Sequence, residues 1–137
     1  MPSIETSIWL ALKGRVQSLT LSPALPIAWP NEDFTKPITG YLRVTHVPNT
    51  NRRLFIGSTE PNQRLGLLQL DVFSKKNQDA SVGTEIAGQV AAWFPIDLRM
   101  IYGAILARVT EAPVVAQAIA DDTHWLVPVT ISYECFA

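Results

Sequence analysis

The chain has 137 residues, of which 47% are hydrophobic and 17% charged, and its formal net charge is −1. That length suits one domain over residues 1–137, able to bury roughly 68–70% of its unfolded surface without staples. The balanced charge gives no drive toward nucleic acid or an anionic membrane, and the single cysteine, Cys135, excludes an intrachain disulfide.

The first residues, Met1-Pro2-Ser3-Ile4-Glu5, lack the basic-then-apolar order of a signal peptide. No run approaches the ~18 apolar residues of a membrane-spanning helix. Residues 4–19 read as a helix: Ile4, Ile8, Leu12, Val16 and Leu19 recur at helical spacing, and Ser3 can cap the start. Gly14 weakens that helix by about 1 kcal/mol against alanine, and Pro23 and Pro26 stop its continuation. A short strand at 27–29 gives way to a turn at Pro30-Asn31-Glu32-Asp33. Residues 41–47 alternate as a strand does.

Residues 48–63 read as a loop rich in Asn, Arg and Pro. At about sixteen residues it exceeds the usual ~12–15 for a structureless connection, which marks it as functional or disordered. Residues 65–73 form the clearest strand, with Gly66, Leu68, Leu70 and Val72 on the face expected to meet the core. After a polar turn at 75–79, Val82, Ile86, Val90 and Trp93 mark a helix over 81–94, widened by Ala87, Ala91 and Phe94. Residues 102–110 and 125–135 complete the strands, and Pro128 places the last at an edge or a bulge. The order α-β-β-β-α-β-β predicts an α+β fold: a mostly antiparallel sheet of four to five strands with two helices packed on one face.

Candidate chemistry is sparse. Phosphate loops need clustered glycines before a helix, and Gly83 stands alone, better suited to helix packing. Asp121, Asp122 and His124 could be imagined around a metal, but a solvated turn is the simpler reading, and His46 reads as a half-buried structural residue. Cys135 lies on an apolar strand face with no activating base or cation in view, so it reads as a small buried hydrophobe. Ser58, Thr59 and Glu60 match no nucleophile motif, and Asp71 beside Gln69 reads as a solvated strand face. No catalytic residue, cofactor or metal is expected. The one distinctive cluster is Arg52 and Arg53 beside Leu54, Phe55 and Ile56, with Arg64 nearby. Charge-assisted donors next to apolar area suit a protein–protein interface.

Several blocks together resemble the tail terminator family of long, non-contractile-tailed phages and prophages. They are Trp29-Pro30-Asn31-Glu32-Asp33-Phe34 with Pro37 and Tyr41-Leu42-Arg43-Val44, then Arg64-Leu65-Gly66-Leu67-Leu68-Gln69-Leu70-Asp71-Val72. Gly83, Ile86-Ala87, Ala91 and Phe94 resemble its second helix, and Trp125-Leu126-Val127-Pro128-Val129-Thr130-Ile131 its last strand. The turn at 75–79 departs from that family's glycine-rich turn. The resemblance implies a virion protein assembled in the host cytoplasm into a ring, usually a hexamer, at the head-proximal end of the tail tube. Its partners would be itself, the tail tube protein and a head-completion or neck protein. Membranes and sequence-specific nucleic acid are not expected partners. The competing readings are a small oligomeric ligand-binding or enzymatic α+β module and a regulator-like partner protein.

Overall fold

A computed structural model describes residues 2–137. Helix α1 spans Ile4–Gln17, and the Ser3 side chain accepts a hydrogen bond from the Thr6 backbone N–H at 3.2 Å. Ile8, Leu12 and Val16 of the expected stripe are buried, joined by Ala11. Leu19 lies beyond the helix, which ends at Ser18 where the last carbonyls are capped.

Strands β1 (Ile27–Ala28), β2 (Gly40–Arg53) and β3 (Asn62–Lys75) precede helix α2 (Ala80–Ala92). After it come β4 (Arg99–Tyr102), β5 (Ile105–Val109), β6 (Val114–Val115), β7 (Ile119–Ala120) and β8 (His124–Phe136). They form one eight-stranded mixed sheet in the order β1-β2-β3-β8-β5-β4, with β6 and β7 also paired to β8. This corrects the expected antiparallel sheet of four to five strands, although the α+β character stands. β1 pairs with β2 in parallel. The single strand expected at 102–110 is instead the hairpin β4–β5, turned at Gly103 with φ +60°. The stretch around Pro113 clips two further two-residue strands onto β8.

The inner face of the sheet carries Leu42 and Val44, then Leu68, Leu70 and Val72, then Val127, Val129 and Ile131. Leu12 and Val16 of α1 and Ile86, Val90 and Phe94 of α2 fill the same buried cluster. Helix α1 packs on β4 and β5 and also reaches β2, where Trp9 stacks on His46, so the sheet curls about the helix. The α2 stripe is rotated from the one expected. Val82 is 37% exposed, while Gly83 and Ala87 are buried. The small residues let the helix approach closely: a Cβ on Gly83 would lie 3.0 Å from Ser74 Oγ and 3.2 Å from Trp125 Cδ1. Trp93 is half-buried in a clasp, not in the core. Arg15 donates to the Trp93 carbonyl at 3.0 and 2.7 Å and lies 4.3 Å from its ring, and the indole N–H donates back to the Arg15 carbonyl at 3.1 Å.

Of the edge or bulge expected at Pro128, the edge does not hold, because β8 is paired along both sides. Its missing N–H instead faces the break between β6 and β7, where the register on β8 shifts by one residue, and its carbonyl accepts from Ala116 N–H at 2.9 Å. Nor is 48–63 a long loop. After a bulge between Pro48 and Asn51, β2 continues through Asn51↔Arg64, Arg52↔Gln63 and Arg53↔Asn62, which leaves only residues 54–61 as the tip.

Candidate assembly interface

The β2–β3 hairpin carries the residues singled out as an interface. Its base is braced from the other side by β8, through Gln63↔Phe136 and paired backbone bonds of 2.9 and 3.0 Å between Asn62 and Ala137. At the tip, Arg53 Nε donates to the Phe55 carbonyl at 2.9 Å, and the same guanidinium bonds the Ile56 carbonyl. This folds the tip so that Leu54 and Phe55 are about half exposed and Ile56 is 96% exposed. Arg52 is exposed on the arm. Arg64 is not part of that surface. It sits at the arm's base, ion-paired to Glu5 at 3.0 Å and donating to the Ala137 carbonyl at 3.3 Å. The expected cluster therefore divides into one outward cation, one arginine spent on shaping the tip, and one that ties the arm to α1.

A second feature was not visible in sequence. Trp29, just after β1, meets Trp9 of α1 edge to face at 6.3 Å, and Trp9 stacks on His46 at 5.7 Å. A groove of ≈ 590 Å³ runs beside β2 there, lined by Trp9, Trp29, Glu32, Lys36, Arg43 and His46 among others. His46 Nε2 bonds the Tyr133 hydroxyl at 2.7 Å. Burial lowers the His46 pKa from its usual 6.5 and pushes Tyr133 up to about 12, so both are neutral near pH 7. The Tyr133 ring lies over Gly66, directly opposite on β3.

The remaining candidates are structural. His124 is 2% exposed, which corrects the solvated turn expected there. Its Nε2 bonds the Pro37 carbonyl at 2.8 Å and its Nδ1 the Thr123 hydroxyl at 2.7 Å, so both ring nitrogens are engaged. It thereby ties the segment before β2 to the sheet. Asp121 and Asp122 are exposed, and among the described residues no group of three His, Cys, Asp or Glu is placed to hold a metal. Asp71 is likewise buried rather than solvated. It accepts from Arg43 at 2.8 and 3.1 Å and from Gln69 at 2.8 Å, with the guanidinium resting 4.9 Å from the Phe73 ring. Cys135 is buried, and burial raises its thiol pKa away from thiolate chemistry. No helix among the described residues is long and apolar enough to cross a membrane.

The titratable groups His46, Asp71, His124 and Tyr133 are thus all engaged in structural hydrogen bonds or ion pairs. The family model for phage tail terminator proteins matches residues 7–133, and the chain belongs to that family. It is thus a structural protein of the phage tail. A solved structure is similar over 91% of this chain and 93% of that one, with a TM-score of 0.70 and 25% identity. No curated protein matches the chain.

Proposed function

We propose that this chain acts as one domain that closes into a ring of six at the head-proximal end of the tail tube. The ring stops tube polymerisation and offers the surface that the head-completion or neck protein joins. Its partners are other copies of itself, the tail tube protein and that neck protein, and assembly takes place in the host cytoplasm. The observation that carries this reading beyond the family is the arm. A braced hairpin holds Leu54, Phe55 and Ile56 in water, beside Arg52, at a place where a solitary subunit gains nothing by exposing them. An arm built this way is an anchor for a partner's surface, and Arg52, Arg53, Leu54, Phe55 and Ile56 form it. Arg64 supports the anchor through Glu5. The alternative of a ligand-binding or enzymatic module gains no support from the histidines, since His46 and His124 serve as braces.

The test replaces residues 54–56 with Ser-Gly-Ser. The variant should keep the parent's circular dichroism and cooperative melt, yet fail to complete infectious particles when it complements a phage lacking this gene. A folded variant that complements like the parent would remove the arm from the proposed interface. Electron microscopy of the parent, alone and on tail tubes, checks the ring itself.

A further inference from the structure

Among the described residues, the part of β2 beyond β1 and the outer side of β4 have no strand partner. β1 pairs with Leu42 and Arg43 and goes no further, so among the described residues no strand covers the edge of β2 from Val44 onward. Only a short part of that edge can take a strand. Pro48 has no N–H, and the bulge that follows breaks the pairing geometry. Of the usable stretch, residues 44–47, Val44, Thr45 and His46 line the groove together with Trp9, Trp29 and Glu32, and Trp29 follows the β1 residue Ala28 that pairs with Arg43. At the other side of the sheet, β4 pairs with β5 alone. It is four residues long, which matches the slot, and its Ile101 is 63% exposed.

Strand direction decides how two such edges can meet. The four steps from β2 through β3, β8 and β5 to β4 are all antiparallel, so β4 runs in the same direction as β2. Rotation about an axis along the strands preserves that direction. A neighbour placed by such a rotation brings its β4 alongside β2 in parallel, the sense in which β1 already pairs there. The contact joins two different surfaces, and repeating it gives a ring when the rotation closes rather than an open filament. Tracing the pairs across the sheet puts Arg99 and Ile101 on the same outer face as Arg43 and Thr45.

Charge agrees with this docking. Parallel addition sets Arg99, the first residue of β4, at the Val44 end of the slot, where the chain leaves β1 toward the lining residue Glu32. Arg99 and Glu32 are both exposed, and neither makes an ion pair among the described residues. Lys36 also lines the groove, while Arg43 is already neutralised by Asp71. We propose that β4 of one subunit adds in parallel to residues 44–47 of the next, with Arg99 facing Glu32, so that one sheet runs continuously around the ring. This inference rests on the ring reading above and names the surfaces that make it. Backbone pairing supplies the affinity, and the charge pair fixes the register.

The experiment uses the full chain and four proteins: the parent, Glu32→Arg, Arg99→Glu and the double exchange. Sedimentation and electron microscopy measure the concentration at which rings form. Each single reversal should raise that concentration by about tenfold or more, and the double exchange should return it to within about threefold of the parent. Hydrogen exchange on the parent gives a readout without substitutions: amides in 44–47 and 99–102 should exchange more slowly in the ring than in the monomer, and this decides the matter if a variant fails to fold. Rings that form equally well in all four proteins, or no added protection at either edge, overturn the edge pairing and leave the ring reading standing. A parent chain that forms no ring, alone or on tail tubes, overturns both.

Discussion

Gly66→Ala sets a methyl group against the Tyr133 ring. A Cβ at position 66 would lie 2.4 Å from Tyr133 Oη, 2.6 Å from Cζ and 2.8 Å from Cε2, closer than real Cβ contacts come. The ring cannot simply retreat, because Tyr133 is 3% exposed and its hydroxyl holds His46 at 2.7 Å. Overpacking of this kind costs about 1–3 kcal/mol, and losing the hydrogen bond adds about 0.5–1.5 kcal/mol. Against this, alanine restricts the unfolded chain and returns about 0.4–1 kcal/mol. Gly66 has no positive φ, so backbone strain adds nothing to the cost. The clash wins, by about 2 kcal/mol. With unfolding entropy near ~2.1 cal/mol/K per residue, that lowers the Tm of a chain this size by about 7 °C. Thermal and urea melts of Gly66→Ala, Tyr133→Leu and the pair would measure it. The penalty of Gly66→Ala should shrink in the Tyr133→Leu background, where the ring is gone. A Gly66→Ala protein that melts within about 1 °C of the parent would show that the Tyr133 ring yields freely to the added methyl.

Two further predictions use the same melts. The depressed pKa of His46 means that the unfolded chain takes up a proton first as pH falls below 6.5. The stability from burying the neutral ring is therefore fully present above that pH and is lost as pH falls toward and through the folded value. His46→Gln should flatten the Tm profile between about pH 7 and 5, and an unchanged slope would show that the ring is not desolvated. Gly14 and Gly88 lie exposed within helices with nothing within 4 Å of an added Cβ, so alanine at either should stabilise the fold by about 0.5–1 kcal/mol, read as a raised Tm.

Where burial is one-sided, the sequence was legible. Ile8, Leu12 and Val16 kept helical spacing because one face of α1 is buried, and Leu68, Leu70 and Val72 alternated because one face of β3 is. The arm was not legible for the opposite reason. Residues 48–53 are exposed on every side, so nothing imposes alternation, and Asn and Arg read as loop although the backbone pairs. Val82 was misplaced because Gly83 and Ala87, not the larger residues, make the close contact. Strands β6 and β7 are two residues each, too short to carry a pattern beside Pro113. The groove needs Trp9, Trp29 and His46 to converge from three elements, and no local spacing encodes that. The arginines looked like one patch, since their adjacency in sequence hides that Arg64 turns to Glu5.

The strand at the heart of the sheet is also the last in chain order. β8 pairs with β3 on one side and with β5, β6 and β7 on the other, and its inward residues form much of the core. Until it leaves the ribosome, β3 and β5 hold open edges, and neither half of the sheet has a partner to close on. Folding of this chain therefore waits on β8 and is dominated by contacts between distant residues, the kind that form slowly and leave unpaired strands exposed meanwhile. A chain interrupted before residue 124 would yield no smaller stable version of the protein, only an aggregation-prone fragment.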